Sequence, residues 1–169
     1  MKKIILTVLI FALVLGLCAC GQAAPAETKL PEEPAARTVT DALGREVELP
    51  AEVNKIVVLS NVPRMAVYLG LSDRAVGYSG MEADRVTPLT AYAYAVKDKW
   101  ASVPIVGTDA GGNTDYYPEM IIEAAPDVII CCYTEDIVKE LEAQTNIPVV
   151  SVAMGNLFGE DFNQSLRTI

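Results

Sequence analysis

The stretch from Pro104 to Thr145 constrains the fold more than any other part of the chain. It contains an apolar run, a glycine-rich polar loop, a short helical segment, a second apolar run and a loop that opens a second helix. In parallel α/β units, ligands bind at loops that follow the carboxyl ends of strands. The loops at 107–117 and 131–135 carry Tyr116, Tyr117 and Tyr133. We therefore expect the two loops to form one wall of a ligand cleft.

Other apolar runs predict the remaining strands of the same sheet. Segments 55–60, 127–132 and 148–154 are short, continuous and rich in β-branched residues, which is typical of strands covered on both faces. Segment 75–79 is a weaker strand of the same kind. Helical segments alternate with these strands, so the sequence predicts βαβ units with right-handed crossovers. The predicted fold class is α/β, a mostly parallel sheet flanked by helices in a single Rossmann-like lobe.

Local signals refine this prediction at the start of the folded part and at two helix ends. Residues 37–41 and 46–49 alternate apolar with polar around a turn at Gly44, which predicts an amino-terminal β-hairpin. Asn61 and Thr134 precede helical segments and are expected to cap them. Cys131 and Cys132 follow each other in a strand, so their side chains are expected to point to opposite faces of the sheet.

The amino terminus reads as a targeting segment. Residues 1–3 are positively charged overall, and the apolar run at 4–17 is shorter than the ~20 residues that span a bilayer. The run ends in a sequence that resembles the bacterial lipobox, with Cys20 as the lipidated first residue of the mature protein. Cys18 fits less well, because Leu17 would then lie at the cleavage position. A plain secretory signal or a membrane-anchoring helix are the alternatives.

These features divide the chain into four parts. Residues 1–19 are the predicted lipoprotein signal peptide, and residues 20–36, rich in Ala, Pro and Glu, are a predicted disordered tether. Residues 37–158 form the predicted α/β lobe. Residues 159–169 read as the opening of a further helix.

The charge balance and one missing residue type exclude several functions. The chain has a formal net charge of −9, whereas nucleic-acid binding requires a basic surface. It contains no histidine, the most common general base and transition-metal ligand. We therefore expect no nucleic-acid partner, no catalytic residues, no metal site and no cofactor.

Several segments, taken in order, resemble the periplasmic-binding-protein family of ABC importers for iron–siderophore, haem or cobalamin. The resemblance runs from about residue 38 to residue 167. The segments that carry it are 38–50, 55–60, 104–107, 119–130 and 147–150. Members of this family have two α/β lobes joined by a long helix, with the ligand between the lobes. By this resemblance the chain supplies the amino-terminal lobe and, at 159–169, the start of a truncated interdomain helix.

The resemblance also implies a function and its partners. It implies an extracytoplasmic, lipid-anchored solute-binding protein at the cell membrane. This protein would be monomeric, capture a metal chelate (an iron–siderophore, haem or corrinoid) and deliver it to ABC permease subunits. It would not be an enzyme. The alternatives are a truncated single lobe without high-affinity binding, and an enzyme related to metal chelatases. The second lacks support because no histidine and no nucleophile–base pair occur in the sequence.

The family's site residues carry over onto particular positions of this chain. Glu119 matches a lobe-surface glutamate that pairs with permease arginines. The implied ligand contacts are Ser60, Asn61, Arg64, Ser79, Asn113, Tyr116, Cys132, Tyr133 and Met154. Two open alternatives accompany them: Arg64 either grips an anionic ligand group or is a solvated helix residue, and the tyrosines either stack on a flat ligand or anchor their loops.

Overall fold

A computed structural model describes residues 35–81, 86–108, 115–153 and 159–169 of the chain. Its first element is the predicted hairpin, in which β1 (Arg37–Thr40) pairs antiparallel with β2 (Glu46–Leu49). Gly44 lies in the turn with a φ of 77°, a conformation that glycine adopts without steric cost. The predicted amino-terminal hairpin is therefore confirmed.

A sheet of six strands follows the hairpin, in the order β6-β5-β4-β3-β7-β8. Every pairing is parallel except that of β5 with β6. The strands are β3 (Ile56–Val58), β4 (Ala75–Ser79), β5 (Ile105–Thr108), β6 (Asp115–Tyr116), β7 (Val128–Cys131) and β8 (Val149–Ser151). The predicted mostly parallel sheet is confirmed, and the antiparallel strand β6 replaces the end of the predicted loop at 107–117.

Gly107 provides the physical reason for this difference. A Cβ atom on Gly107 would lie 2.6 Å from the carbonyl oxygen of Asp115 and 3.2 Å from the Cα of Tyr116. The missing side chain therefore lets the chain return close beside β5 and pair with it. The segment has no apolar run, so its sequence predicts a polar loop.

Helices connect the strands and cover both faces of the sheet. They are α1 (Val62–Tyr68), α2 (Ala91–Val96), α3 (Pro118–Ala124), α4 (Glu135–Thr145) and α5 (Glu160–Thr168), with a 3₁₀ turn at Trp100–Ser102. Asn61 and Thr134 occupy the predicted N-cap positions of α1 and α4, but neither side chain makes a capping hydrogen bond. The predicted N-cap positions are therefore correct, but the side-chain hydrogen bonds expected of these caps do not form.

Alternating strand residues build two separate cores, one on each face of the sheet. Ile56 and Val58 of β3 belong to one core, together with buried side chains of β2, α1, α2 and α5; we call it the α1–α2–α5 core. Val57, between them, belongs to the other, together with buried side chains of α3 and α4; we call it the α3–α4 core. This alternation is the two-residue period of a strand covered on both faces.

Trp100 anchors the first of these cores. Its side chain is fully buried and stacks on Tyr78 of β4, with 5.0 Å between the ring centroids. The indole Nε1–H donates a hydrogen bond of 2.9 Å to the carbonyl of Ser72, so the buried ring leaves no unsatisfied donor.

The strand order fixes where a ligand crevice can form. From β3 the chain proceeds through β4 to β5 on one side, then returns to β7 on the other side of β3. The direction of winding reverses between β3 and β7, and such a reversal opens a crevice outside the carboxyl ends of the two strands.

Candidate functional site

The strand order places the expected crevice at the carboxyl ends of β3 and β7, where segments at the ends of the parallel strands lie. We call these segments, residues 59–61, 79–81, 132–134 and 152–153, the strand-end edge. They lie at the carboxyl ends of β3, β4, β7 and β8, which run in the same direction. The carboxyl ends of parallel strands meet at one edge of a sheet, so the fold brings these segments to the same side of the lobe.

Hydrogen bonds tie neighbouring parts of this edge together. The amide of Leu59 donates to the carbonyl of Ile130 at 2.9 Å, which joins the ends of β3 and β7. The hydroxyl of Ser151 donates to the carbonyl of Tyr133, also at 2.9 Å. The hydroxyl of Ser165 in α5 donates to the carbonyl of Ala153 at 2.7 Å and accepts from the amide of Ala153. The edge is therefore a connected structure rather than a set of independent loops.

Ser60 has an unusual backbone at the centre of the edge. Its φ is 60°, in the left-handed region, which costs an L-residue other than glycine about 1–2 kcal/mol. Its amide donates a hydrogen bond of 2.8 Å to the hydroxyl oxygen of Ser79. Ser60 is half-buried and Asn61 is exposed, whereas Ser79 is 0% exposed. Of these three predicted ligand contacts, Ser60 and Asn61 are accessible to a ligand from solvent, whereas Ser79 is not.

Arg64 lies in a groove on the α1–α2–α5 side of the lobe. Its guanidinium carbon is 5.3 Å from the centroid of the Tyr92 ring, within the range of a cation–π contact. The groove has a volume of about 530 Å³. Its lining comprises Arg64, Tyr68, Leu89, Thr90, Ala91, Tyr92, Phe162, Asn163 and Leu166.

Tyr116 and Tyr133 contact each other on the opposite side. Their ring centroids are 6.3 Å apart, with 33° between the planes. Tyr133 is 6% exposed and belongs to the α3–α4 core, against which Tyr116 packs. The pKa of Tyr116 is raised, mainly by burial and to a smaller extent by the negative charge of Glu140. The structure therefore brings these two tyrosines together, but it separates them from Arg64, whose helix packs in the other core.

The two adjacent cysteines lie on opposite faces, as the sequence predicts. Cys131 is buried in the α3–α4 core, and Cys132 packs against the α1–α2–α5 core. Burial raises the pKa of the Cys131 thiol to about 12. Cys131 is therefore a protonated, apolar side chain, and Cys132 is the cysteine of the pair with surface at the strand-end edge.

Among the remaining predicted residues, Glu119 is within the described ranges. Glu119 is exposed in the first turn of α3. Asn113, Met154 and the lipidation candidate Cys20 fall outside the described residues. Within the described part of the chain, no group of three or more Cys, Asp or Glu side chains is arranged to hold a metal ion. None of the helices in these ranges has the length and apolar character that a membrane crossing requires.

One polar cluster has no counterpart in the sequence analysis. The Arg45 guanidinium donates to Asp41 Oδ2 at 2.8 Å, to Glu142 Oε2 at 3.1 Å and to the carbonyl of Val149 at 2.7 Å. Burial on its own would lower the pKa of Arg45, but hydrogen bonds and charges from Asp41 and Glu142 raise it. The short spacing of Asp41 and Arg45 around the hairpin turn is a local pattern that could have indicated their ion pair. No local pattern could have indicated Glu142, which lies 97 positions after Arg45.

Comparisons with known proteins identify the fold. No protein-family model matches the chain, and no curated protein sequence is significantly similar to it. Solved structures do match. A periplasmic solute-binding protein from Veillonella parvula superposes with a TM-score of 0.59 and 24% identity, over 79% of this chain and 40% of that protein.

Two further solved proteins give the same result. The molybdate periplasmic binding protein MolA of Haemophilus influenzae, bound to molybdate, matches with a TM-score of 0.56 and 22% identity over 78% of this chain and 43% of its own. SirA of Staphylococcus aureus, complexed with staphyloferrin B, matches with a TM-score of 0.56 and 19% identity over 78% of this chain and 41% of its own.

These identities are low, and the likeness is one of fold. The chain spans about two fifths of the length of the solved proteins that it matches. The resemblance seen in the sequence is confirmed at this level: the chain has the fold of a single lobe of the periplasmic solute-binding proteins of ABC importers.

Proposed function

We propose that this protein is the solute-binding component of an ABC importer. It captures a small metal chelate outside the cytoplasm and delivers it to permease subunits. The ligand classes are those that the sequence resemblance implies, namely an iron–siderophore, haem or a cobalamin-type corrinoid. The protein contributes binding and docking rather than chemistry, so no catalytic residue is assigned.

One observation supports this proposal above the others. The lobe is a parallel sheet with its winding reversal between β3 and β7, and it shares this fold with solute-binding proteins at TM-scores of 0.56–0.59. The relatives' own ligands are varied, since one is bound to molybdate and another to staphyloferrin B. These two neighbours favour an anionic ligand, whereas haem and corrinoid rest on the sequence resemblance.

The strand-end edge has suitable groups for such a ligand. Ser60, Asn61 and Cys132 are at least partly exposed and supply a hydroxyl, an amide and a thiol. Ligand sites combine a few polar groups of this kind with apolar walls. In the proposed complex these side chains orient the ligand, and Arg64 attracts an anionic group from the side.

Attachment and delivery use other parts of the chain. In the proposed protein, acyl chains on Cys20 hold it at the extracytoplasmic face of the membrane, because each buried CH₂ contributes about 0.8 kcal/mol. Glu119 is the proposed permease contact, since its exposed carboxylate is available to a basic partner surface. Replacing Cys20 by Ala is expected to release the protein from membranes in a fractionation experiment.

The decisive experiment is a titration of the 169-residue chain by isothermal calorimetry. The probes are ferric staphyloferrin B, hemin, cyanocobalamin and molybdate. We expect saturable binding of one probe in a 1:1 ratio, and a loss of affinity in Asn61→Ala. Asn54→Ala is the matched control, because Asn54 is also exposed but lies before β3, at the opposite end of the strand.

A second candidate is a lobe that folds but binds ligand weakly by itself. It is favoured by the fact that the matched part covers only 40% of a solved solute-binding protein, so most of that protein has no counterpart in the matched part. The same titration separates the two candidates. Micromolar or tighter binding supports the first, and the absence of saturation with all four probes supports the second.

A further inference from the structure

The side chain of Ser79 lies under the turn at Ser60 and contacts its backbone. Ser79 ends β4 and is completely buried. Its hydroxyl oxygen accepts the Ser60 amide hydrogen at 2.8 Å, and Ser60 has the left-handed φ of 60°. Few L-residues adopt this conformation without a compensating interaction. The buried hydroxyl therefore supports a backbone conformation that Ser60 does not favour.

The fold leaves Ser79 little freedom to move away from this contact. The register of β4 against β5 shifts between Tyr78 and Ser79. On β5, Gly107 is so close that an added Cβ would lie 3.3 Å from the Cβ of Ser79. The backbone of β5 therefore packs closely against Ser79, which is fully buried while its hydroxyl oxygen accepts the hydrogen bond from Ser60.

We propose that Ser79 is a positioning residue of the strand-end edge, which acts through the backbone of Ser60 and does not contact the ligand. The inference rests on the proposed function, in which Ser60 and Asn61 meet the ligand. A site that is ordered before binding loses less conformational entropy on binding, so its affinity is higher. Ser79 supplies that order from beneath the surface, which explains why a buried serine stands at a position where the resemblance implies a contact.

The first test measures hydrogen exchange of single backbone amides by NMR in the full chain with Ser79→Ala. We expect exchange of the Ser60 amide to accelerate about 10-fold or more, because it loses its acceptor. The amide of Leu59, which donates to the carbonyl of Ile130, should change less than about 2-fold. No acceleration at Ser60, or equal acceleration at both amides, would overturn the proposal.

The second test measures affinity, with ferric staphyloferrin B and molybdate as probes. We expect Ser79→Ala to weaken binding about 10-fold, the equivalent of one lost hydrogen bond. In a Ser60→Gly background the same substitution should cost less than about 3-fold, because glycine adopts the left-handed conformation without support. An equal loss in both backgrounds would identify Ser79 as a direct contact and overturn the proposal.

The two tests also separate this inference from the proposed function. If neither probe binds the unmodified chain, the proposed function fails for these two ligands. Exchange at Ser60 then still decides whether Ser79 holds the Ser60 backbone, since this measurement requires no ligand. Normal binding by Ser79→Ala together with fast exchange at Ser60 would overturn the positioning role and leave the proposed function intact.

Discussion

Arg45 donates a hydrogen bond of 2.7 Å to the carbonyl of Val149 on the outer edge of β8. The same edge is covered by three further bonds: Glu142 accepts the Val149 amide, Asp41 accepts the Ser151 amide, and the Ser151 carbonyl accepts the amide of Ala42. Open strand edges pair readily with other chains. The hairpin turn and the ion pairs of Arg45 thus cover the outer edge of β8, the last strand on that side of the sheet.

We expect Arg45→Met to destabilise the lobe by about 3 kcal/mol, because it leaves the carboxylate of Asp41 buried without its positively charged partner. The Asp41 side chain is 0% exposed, so water does not replace the lost guanidinium. Urea unfolding followed by circular dichroism measures the change. Exposure of the β8 edge should also appear as self-association that increases with concentration in analytical ultracentrifugation.

Arg74→Met is the matched control for this prediction. Arg74 also donates to a backbone carbonyl, that of Val53 at 2.8 Å, but it is exposed. Its loss should cost below about 1 kcal/mol. Equal losses in the two variants would mean that closure of the β8 edge adds nothing to stability.

The contrast between local and distant contacts explains how much of this fold the sequence predicts. The β-branched runs at β3, β7 and β8 and the alternation in the hairpin depend on neighbouring residues, so their pattern alone predicts these elements. The partnership of Arg45 with Glu142 spans 97 positions and leaves no local trace. The strand order likewise depends on packing between distant segments, so the sequence does not predict it.

The candidate site is predictable to a smaller degree, for the same physical reason. That Ser60, Asn61 and Cys132 follow strands is a local property, and the parallel sheet brings them to one edge. Burial of Ser79 and Tyr133 depends on how the helices and β5 pack around them. The left-handed backbone of Ser60 was also not predicted, because residues other than glycine give no local signal for it.

Gly107→Ala should destabilise the lobe by about 2–3 kcal/mol, since overpacking against a backbone forces a strand to move. The added Cβ would lie 2.6 Å from the carbonyl oxygen of Asp115. Gly70→Ala is the control, because its φ is 73° and no atom of the described residues lies within 4 Å of the added Cβ. Its cost should be about 1 kcal/mol, from the left-handed backbone alone. Thermal and urea unfolding of both variants compare the two effects, and a larger loss in Gly70→Ala would contradict the steric argument.

The adjacent cysteines Cys131, at the end of β7, and Cys132, in the strand-end edge, should differ in reactivity. Burial raises the pKa of Cys131 from 9.0 to about 12, and only a thiolate attacks alkylating reagents. At pH 8, iodoacetamide should therefore modify Cys132 well before Cys131, as measured by peptide mass spectrometry. Equal rates in the native protein would contradict the burial of Cys131.

The same pKa shift sets a direction for stability at alkaline pH. In the unfolded chain Cys131 loses its proton near its ordinary pKa of 9.0, whereas the folded protein holds it up to about 12. The contribution of this thiol to the free energy of unfolding is therefore fully present below pH 9 and is lost as the pH rises towards 12. Cys131→Ser, whose hydroxyl does not titrate in this range, should show a weaker fall of unfolding free energy between pH 9 and pH 10.5.

Arg64 has two possible roles, and two measurements on Arg64→Met distinguish them. If it serves only to stack on Tyr92, the variant should lose about 0.5–1 kcal/mol of stability and bind the ligand normally. If Arg64 instead attracts an anionic group of the ligand, the affinity of Arg64→Met for ferric staphyloferrin B should be lower by about 10-fold or more. The affinity of the unmodified chain should then depend more steeply on salt concentration than the affinity of the variant. Arg167→Met, an exposed arginine at the end of α5, controls for the change in net charge. The proposed function gives Arg64 the second role, so unchanged affinity in Arg64→Met would remove this residue from the site. An equal loss of affinity in Arg167→Met would mean that Arg64 acts only through the net charge of the protein.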